Sequence, residues 1–351
     1  MSFQPSALLI TGGAGFIGAN FLRVALAADP SVRLVTLDAL TYAGSRSNLV
    51  EDPRHTFVQG DIADGGTVRR LLAEHEIDGI VHFAAESHVD RSILGPAAFV
   101  QTNVVGTFQL LDAAREAWGD RQDVRFHHVS TDEVYGDLTP EAPAFRETTP
   151  YDPYSPYSAT KAASDHLVRA YARTYGLPVT ITNCSNNYGP FQYPEKLIPL
   201  TILRALSGRT IPIYGDGQQV RDWLYVRDHC EAIWQVLTRA ASGATYNVGG
   251  GNQPTNLDLV HRICGILDER HPQGAPHVRL VEFVTDRPGH DRRYAMDTTA
   301  IARDLGWRPR HTLSNGLDAT VAWIFDNREW LAAIARENDL DDWIATQYTD
   351  R

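Results

Sequence analysis

Ala7-Leu-Leu-Ile-Thr-Gly-Gly-Ala-Gly-Phe-Ile-Gly18 begins as a short apolar run, breaks into glycines, and passes into a helical pattern at Phe16. Gly13-x-Gly15-x-x-Gly18 between a strand and a helix allows a tight turn, close backbone approach to a pyrophosphate, and a helix N-terminus facing that anion. Asp38 ends the next apolar run, Leu34-Val-Thr-Leu-Asp38, 20 residues beyond Gly18. A carboxylate there accepts from a ribose 2′-hydroxyl and repels a 2′-phosphate, so the cofactor expected is NAD rather than NADP. Gly12, Gly15, Phe16, Ile17 and Gly18 form the expected pyrophosphate turn. Leu40 and Thr41 follow Asp38 on the same rim, and Asp61-Ile62, after the third strand, reads equally as a hold on the adenine edge or as a plain loop aspartate.

Outward from this turn, short apolar runs alternate with longer amphipathic ones. Thr56–Gln59, Gly79–Phe83 and Val124–Ser130 read as buried parallel strands. Phe16–Ala28, Gly65–His75 and a long stretch from Pro96 to Trp118 read as helices. Tyr157–Tyr175 is a further helix, opened by Ser155 as N-cap and Pro156 as first residue, and Pro178–Thr182 a sixth strand. The fold expected is α/β: a doubly wound parallel sheet of the Rossmann type with a smaller α/β domain. The boundary falls near Tyr188, where the texture turns to Pro- and Gly-punctuated pieces. Residues 1–188 are expected to bind the dinucleotide, together with 226–250, where a helix and the strand Tyr246–Gly249 could return to the sheet. Residues 189–225 and 251–351 then form the smaller domain, its tail from Glu329, with Trp330 and Trp343, covering it as one or two helices.

The composition sets limits on function. The 351 residues are 43% hydrophobic and 21% charged, which is globular, and a net charge of −11 argues against nucleic acid or an anionic membrane as partner. No window approaches the length of a membrane span, and the N-terminal apolar run is too short for a signal peptide, so a cytoplasmic location is expected. Cys184, Cys230 and Cys264 are three, widely spaced, with no C-x-x-C, and no histidine pair has ligand spacing; neither disulfides nor a metal are expected.

Two clusters carry chemistry. Tyr157 and Lys161 stand at i and i+4 on one helix face, where an ammonium stabilises a phenolate and lets it take a proton from an alcohol. Thr131-Asp132-Glu133 lies just past a strand, at the carboxyl edge where such sheets bind ligands. A capping turn is the plain reading of that tripeptide. In a cleft, however, two adjacent carboxylates repel and burial raises one of them, leaving one protonated donor and one ionised acceptor. His127 and His128 point to opposite faces of their strand and read as packing.

The glycine turn with Tyr157 and Lys161 resembles the extended short-chain dehydrogenase/reductases. Leu37–Gly44, Ala84–Ser92, Ser130–Gly136, Asn183–Pro190, Pro194–Pro199, Arg221–Asp228 and Asp286–Tyr294 resemble more narrowly the dTDP-glucose 4,6-dehydratases, over about residues 7–325. The resemblance implies conversion of dTDP-glucose to its 4-keto-6-deoxy form by C4 oxidation, loss of water across C5 and C6, and hydride return to C6, with NAD regenerated. It implies Tyr157 as base at C4, helped by Thr131 and supported by Lys161, with Glu133 as base at C5 and Asp132 as acid at the C6 hydroxyl. It adds Ala84, Ala85, Ser87, Thr102 and Asn183 to the cofactor site. On the nucleotide-sugar side it implies Ser87, His88, Thr131 and Asn186, then Glu195, Lys196 and Leu197. Pro212, Tyr214, Arg221, Asn256, Arg287 and His290 complete that set, and Arg292 and Arg293 stand beside it. Ser45 and Arg46 depart from a more Asn-like loop.

Three other readings remain at this stage. A 4-epimerase shares the cofactor end but has no need of Asp132-Glu133, a dehydratase of UDP- or GDP-sugars differs only in the base pocket, and a dead dinucleotide sensor would lack the tyrosine or lysine. The resemblance also implies a homodimer joined through Pro96–Trp118 and Tyr157–Tyr175, with Phe108 and Tyr171 offering apolar surface.

Overall fold

The computed structural model describes residues 2–286 and 289–337. The strands are β1 (Ala7–Thr11), β2 (Arg33–Asp38), β3 (His55–Gln59), β4 (Gly79–His82), β5 (Arg125–Thr131), β6 (Val179–Cys184), β7 (Asn186–Tyr188), β8 (Ile211–Tyr214), β9 (Trp223–Tyr225), β10 (Thr245–Val248) and β11 (Val281–Val284). The helices are α1 (Phe16–Ala28), α2 (Gly65–Glu74), α3 (Val89–Leu94), α4 (Pro96–Phe99), α5 (Thr107–Trp118), α6 (Pro156–Tyr175), α7 (Leu197–Leu206), α8 (Val226–Arg239), α9 (Asn256–Arg270), α10 (Thr299–Leu305), α11 (Leu313–Asp326) and α12 (Arg328–Glu337).

Seven strands form one parallel sheet in the order β10-β6-β5-β4-β1-β2-β3, the doubly wound arrangement expected. The order reverses beside β1, so the chain leaves β1 and β4 in opposite directions and opens a crevice at their carboxyl ends. Side chains alternate across the sheet. Leu9 packs with Leu71, Leu111 and Val168 on the face covered by α2, α5 and α6. Leu8 and Ile10 pack with Phe21, Leu22, Ile233 and Leu237 on the face covered by α1 and α8. A separate apolar cluster, with Ile198, Ile202, Leu259, Ile263, Leu317 and Val321, holds α7, α9 and α11 together. The short pairs β8·β11 and β7·β9 lie outside the main sheet.

The glycine turn is packed to contact. Gly12 has a φ of +71°, and a Cβ at Gly18 would stand 2.3 Å from the Gly12 carbonyl oxygen and 2.8 Å from the Gly13 Cα, both backbone atoms. Helix α6 starts as read: Ser155 accepts from Ser158 N in a capping box, Pro156 is the first residue, and Gly176 closes the helix in the left-handed conformation.

Two elements differ from expectation. The stretch 96–118 is not one α-helix: α4 runs into a π-helical segment, Val100–Gly106, before α5. Within it Asn103 is buried, its amide bonded to Glu86 N (2.9 Å), Glu86 O (3.0 Å) and Thr160 Oγ1 (2.9 Å), which ties the loop after β4 to α6. The wider turn lets that one polar side chain reach inward without breaking the rod. At the C-terminus, α12 does more than cover the smaller cluster. Trp330 packs on Phe191 and Trp323, and its Nε1 donates to Asn48 Oδ1 at 2.6 Å, on the rim after β2. Trp343 lies outside the described residues.

Replacing Gly18 by alanine has no flexible neighbour to displace. Urea unfolding of Gly18→Ala is expected to show a loss of about 2 kcal/mol or more, with weakened dinucleotide binding; a stability equal to wild type would contradict the packing described.

Candidate active site

The carboxyl ends of β1 to β6 line a cleft of about 350 Å³. Its walls bring together Gly12, Gly15, Phe16, Ile17 and Gly18 after β1, Asp38 and Thr41 after β2, and Asp61 and Ile62 after β3. Ala84, Ala85, Ser87 and Thr102 follow from the β4 side, then Thr131, Asp132, Glu133, Tyr157 and Lys161, and finally Asn186, Glu195 and Lys196.

The turn end fits a dinucleotide. Gly15 stands at the start of α1 with no side chain capping the helix, so the first-turn N–H groups face the cleft. Asp38 accepts from Ala14 N at 2.9 Å and from Leu40 N at 2.8 Å, which fixes its carboxylate and leaves lone pairs on both oxygens. Burial raises its pKa against those two amide bonds. Asn48 donates to Ala14 O at 2.8 Å, so an asparagine does serve this loop, two residues past Arg46. Ser45 caps the 3-10 turn 46–48, and the Arg46 guanidinium lies over the Phe57 ring.

At the other end, the tripeptide after β5 is both a capping turn and a carboxylate pair. Thr131 Oγ1 accepts from Glu133 N at 3.2 Å and donates to Asp132 Oδ1 at 3.2 Å. The 3-10 turn Asp132–Tyr135 drives the two acids apart: Asp132 is 2% exposed, whereas Glu133 is half-buried. Asp132 Oδ2 is buried with no hydrogen-bond partner. Burial first, then the charges of Glu133 and Asp222, raise the Asp132 pKa well above the carboxylate range. Sequence leaves the two acids unordered; their burial differs, and it is Asp132 that burial pushes toward the protonated form.

Tyr157 runs against expectation. Burial, then Glu133 and Cys184, push its phenol well above 10, and the bond from Thr131 offsets only part of this. Lys161 is buried and donates to Val129 O at 2.9 Å, so part of its donor capacity is spent on the strand beneath it. Spacing places the pair on one face but says nothing of the desolvation each suffers.

Several expected residues lie elsewhere. Leu40, at a φ of +54°, is not among the cleft-lining residues and presents its N–H to Asp38. Asn183 is fully buried, its amide facing Thr131 O, Tyr151 OH and the Asp165 carboxylate behind the cleft wall. β6 alternates, and Asn183 falls on the inner side while Cys184 lines the cleft. His88 is buried between Asp90 and Glu195, 3.7 Å from the latter, and Leu197 opens α7; neither lines the cleft. Pro212 and Tyr214 lie on β8, outside it. They belong to a second group in which Tyr214 meets the His290 ring, His290 bonds Asp286, and Gln219 reaches both Asp286 and, through its carbonyl, Asn256 N. Arg221 is buried over the Tyr294 ring and donates to Val220 O and Asp291 O, yet its charge is felt at Asp132. Arg292 pairs with exposed Asp216, and Arg293 donates to Ala142 O and Gln253. Arg287 lies outside the described residues. Among the described residues no cluster could hold a metal ion, and the three cysteines are free and buried.

Sequence reading passed over Tyr42 and Tyr193, which meet edge to face at 5.5 Å across the cleft mouth. It also passed over a simple signal. The chain has only two lysines among 32 basic residues, Lys161 and Lys196, and both line the cleft.

The family described as GDP-mannose 4,6 dehydratase matches residues 9–320. A dTDP-glucose 4,6-dehydratase of Xanthomonas campestris is 56% identical over 93% of this chain and 95% of its own length. Another, from Escherichia coli, is 50% identical over 98% of this chain and 99% of its own. The crystal structure of a dTDP-glucose 4,6-dehydratase from Streptomyces venezuelae with NAD and dTDP bound superposes with a TM-score of 0.84 at 50% identity, covering 92% of this chain and 98% of that one. With a shared fold and half of its residues identical to such relatives along nearly the whole length, this chain belongs to the dTDP-glucose 4,6-dehydratase family.

Proposed function

We propose that this protein converts dTDP-glucose to dTDP-4-keto-6-deoxyglucose and water, as a hydro-lyase that uses NAD and regenerates it within each turnover. The observation that carries the reading is the divided carboxylate pair, Asp132 buried and pushed toward its protonated form beside half-buried Glu133, on the same cleft wall as Tyr157 and Lys161. An epimerase has no use for such a pair.

The glycine turn and Asp38 would hold NAD, which when bound would supply the hydride acceptor for C4, the hydride donor for C6 and a positive charge that favours the Tyr157 phenolate. Tyr157 takes the C4 hydroxyl proton, with Thr131 bonded to the phenol and Lys161 fixed beneath it. The ketone so formed acidifies C5–H, and Glu133, the more accessible acid, removes that proton. Asp132 gives its proton to the C6 hydroxyl, which leaves as water, and the proton held by Glu133 is available to return to C5 when C6 is reduced. Asn186 and Lys196 face the same space and are assigned to the nucleotide diphosphate, with the Tyr214, Asn256 and His290 group at its far side.

We assign residues 1–188 and 226–250 to the dinucleotide unit and the remainder to the nucleotide-sugar unit, on the strength of β10 pairing beside β6 and of the separate apolar clusters. A homodimer is supported by large apolar side chains exposed on the two expected stretches, Phe108 (39%) on α5 and Tyr175 (52%) on α6. Tyr171, expected on that face, is only 8% exposed and packs edge-on against Tyr175. No described helix is long and apolar enough to cross a membrane, and we assign the enzyme to the cytoplasm, where its substrate class resides.

Mass spectrometry of protein incubated with dTDP-glucose is expected to show a product lighter by one water; an unchanged mass with inversion to galactose would make the protein an epimerase. Glu133→Gln is expected to lower water loss by about 10²- to 10⁴-fold while NAD binding persists, and unimpaired dehydration in that variant would remove Glu133 from the role. Because the raised Asp132 acts as donor, elimination is expected to proceed below its pKa and fall as pH rises through it. Asp132→Asn, which carries no titrating proton, should be slow and show no such fall. Phe108→Glu is expected to sediment as a monomer in analytical ultracentrifugation; an unchanged dimer would place the interface elsewhere.

A further inference from the structure

The wall behind Lys161 holds a second set of ionisable groups that the reaction above does not use. Helix α6 carries Tyr157, Lys161, Asp165 and Arg169 at successive four-residue steps, so all four lie on one face. Asp165 is fully buried. Its Oδ2 accepts from Tyr151 OH at 2.6 Å and from Asn183 Nδ2 at 3.3 Å, and its Oδ1 lies 3.2 Å from His128 Nε2. Arg169 reaches this group only through Tyr151 OH, at 2.7 Å. A buried carboxylate is thus held by two neutral donors on Oδ2, its Oδ1 buried beside His128 in no hydrogen bond, and among the described residues no cation touches it.

His128 sits between that carboxylate and the lysine. Its Nε2 is 3.4 Å from Lys161 Nζ. Burial, then Lys161, push the imidazole down to about 4, so it is neutral and carries one N–H. Nδ1 is buried without a hydrogen-bond partner, while Nε2 lies between Lys161 Nζ and Asp165 Oδ1. The ring therefore links the carboxylate to the lysine pocket without taking a charge of its own.

The other groups facing Lys161 supply no negative charge. His82, from β4, stacks 5.2 Å from His128 and is neutral, burial holding it well below 6.5. Cys184, from β6, is a thiol that burial pushes far up. Tyr157 is protonated at rest. Burial drives the Lys161 ammonium toward the neutral amine, and Asp165 is the first charge that opposes it. Burial likewise raises Asp165, but His128, Lys161 and Tyr151 together bring it below the ordinary carboxylate value, so it stays ionised.

We propose that Asp165 is a positioning residue for the reaction: its carboxylate, acting across the His128 imidazole, is the interior counter-charge that keeps Lys161 an ammonium beneath Tyr157. The proposal rests on the role given to Lys161 above. Isolated opposite charges in such surroundings shift one another by about one pH unit or more.

Because the chain has two lysines, protein labelled with 13C at the lysine Cε shows two titrating signals, assigned by Lys196→Arg. In the NAD-saturated protein, the Lys161 midpoint is expected to fall by about one unit in Asp165→Asn while that of Lys196 stays in place. Asp165→Glu, which keeps the charge, should restore most of the shift. The alkaline limb of kcat should move down in Asp165→Asn by the same amount, whereas a structural acceptor would lower the plateau and leave the limb where it was. A folded Asp165→Asn with an unmoved Lys161 midpoint overturns the proposal. Should that variant not fold, the wild-type titration decides: a Lys161 amine already neutral at the pH of turnover overturns it too. The titration is read without turnover, so its failure is distinct from failure of the dehydratase reading, which product mass reports.

Discussion

The cleft depends on backbone packed against backbone at its floor. Gly18 approaches the Gly12 carbonyl so closely that no side-chain carbon fits, and Gly12 itself presses on Ala84 N across the neighbouring strand end. This contact lets α1 start hard against the sheet, with its N–H groups at the crevice rather than a side chain's length away. Asp38 then locks the turn from the second strand through Ala14 N, and Asn48 does so from the loop through Ala14 O. One alanine carries the alignment of two strand ends and a rim.

The same economy of position separates the two acids. Asp132 and Glu133 are adjacent in sequence and nearly identical in chemistry, yet a single 3-10 turn capped by Thr131 buries the first and leaves the second partly wet. Desolvation does the rest, because an unpaired charge at Asp132 would cost far more than a proton. Depth alone thus sets two like residues apart, with no special residue type required.

Much of this was legible in the residues. The strands from Ala7 to Thr131, the caps of α6, the cofactor turn and Asp38 follow from apolar runs, turn chemistry and spacing, all of which are local. What sequence could not give is which side of the wall a residue faces. Asn183 was expected at the cofactor and lies behind it; His128 was read as packing and stands 3.4 Å from Lys161. Both sit on buried strands, where a parallel sheet covered on two faces erases the polar alternation that would show orientation. Burial itself is a tertiary quantity, so the upward shift at Tyr157 could not be seen from its i+4 lysine. The scarcity of lysine was open to anyone counting, and it points to two cleft residues at once.

The π-helical segment between α4 and α5 has one more consequence. Each residue added to or removed from a helix turns everything beyond it by about 100°. The wide turn at Val100–Gly106 therefore sets the phase of α5, holding Leu111 and Ala114 toward the sheet and Phe108 outward. A chain one residue shorter here would keep its composition and its helix but present a different face to the sheet, and the apolar surface would turn away with it. Insertions and deletions are tolerated in the loops of this fold; in this rod they act as a rotation, and the sheet and the outer face would lose their register together.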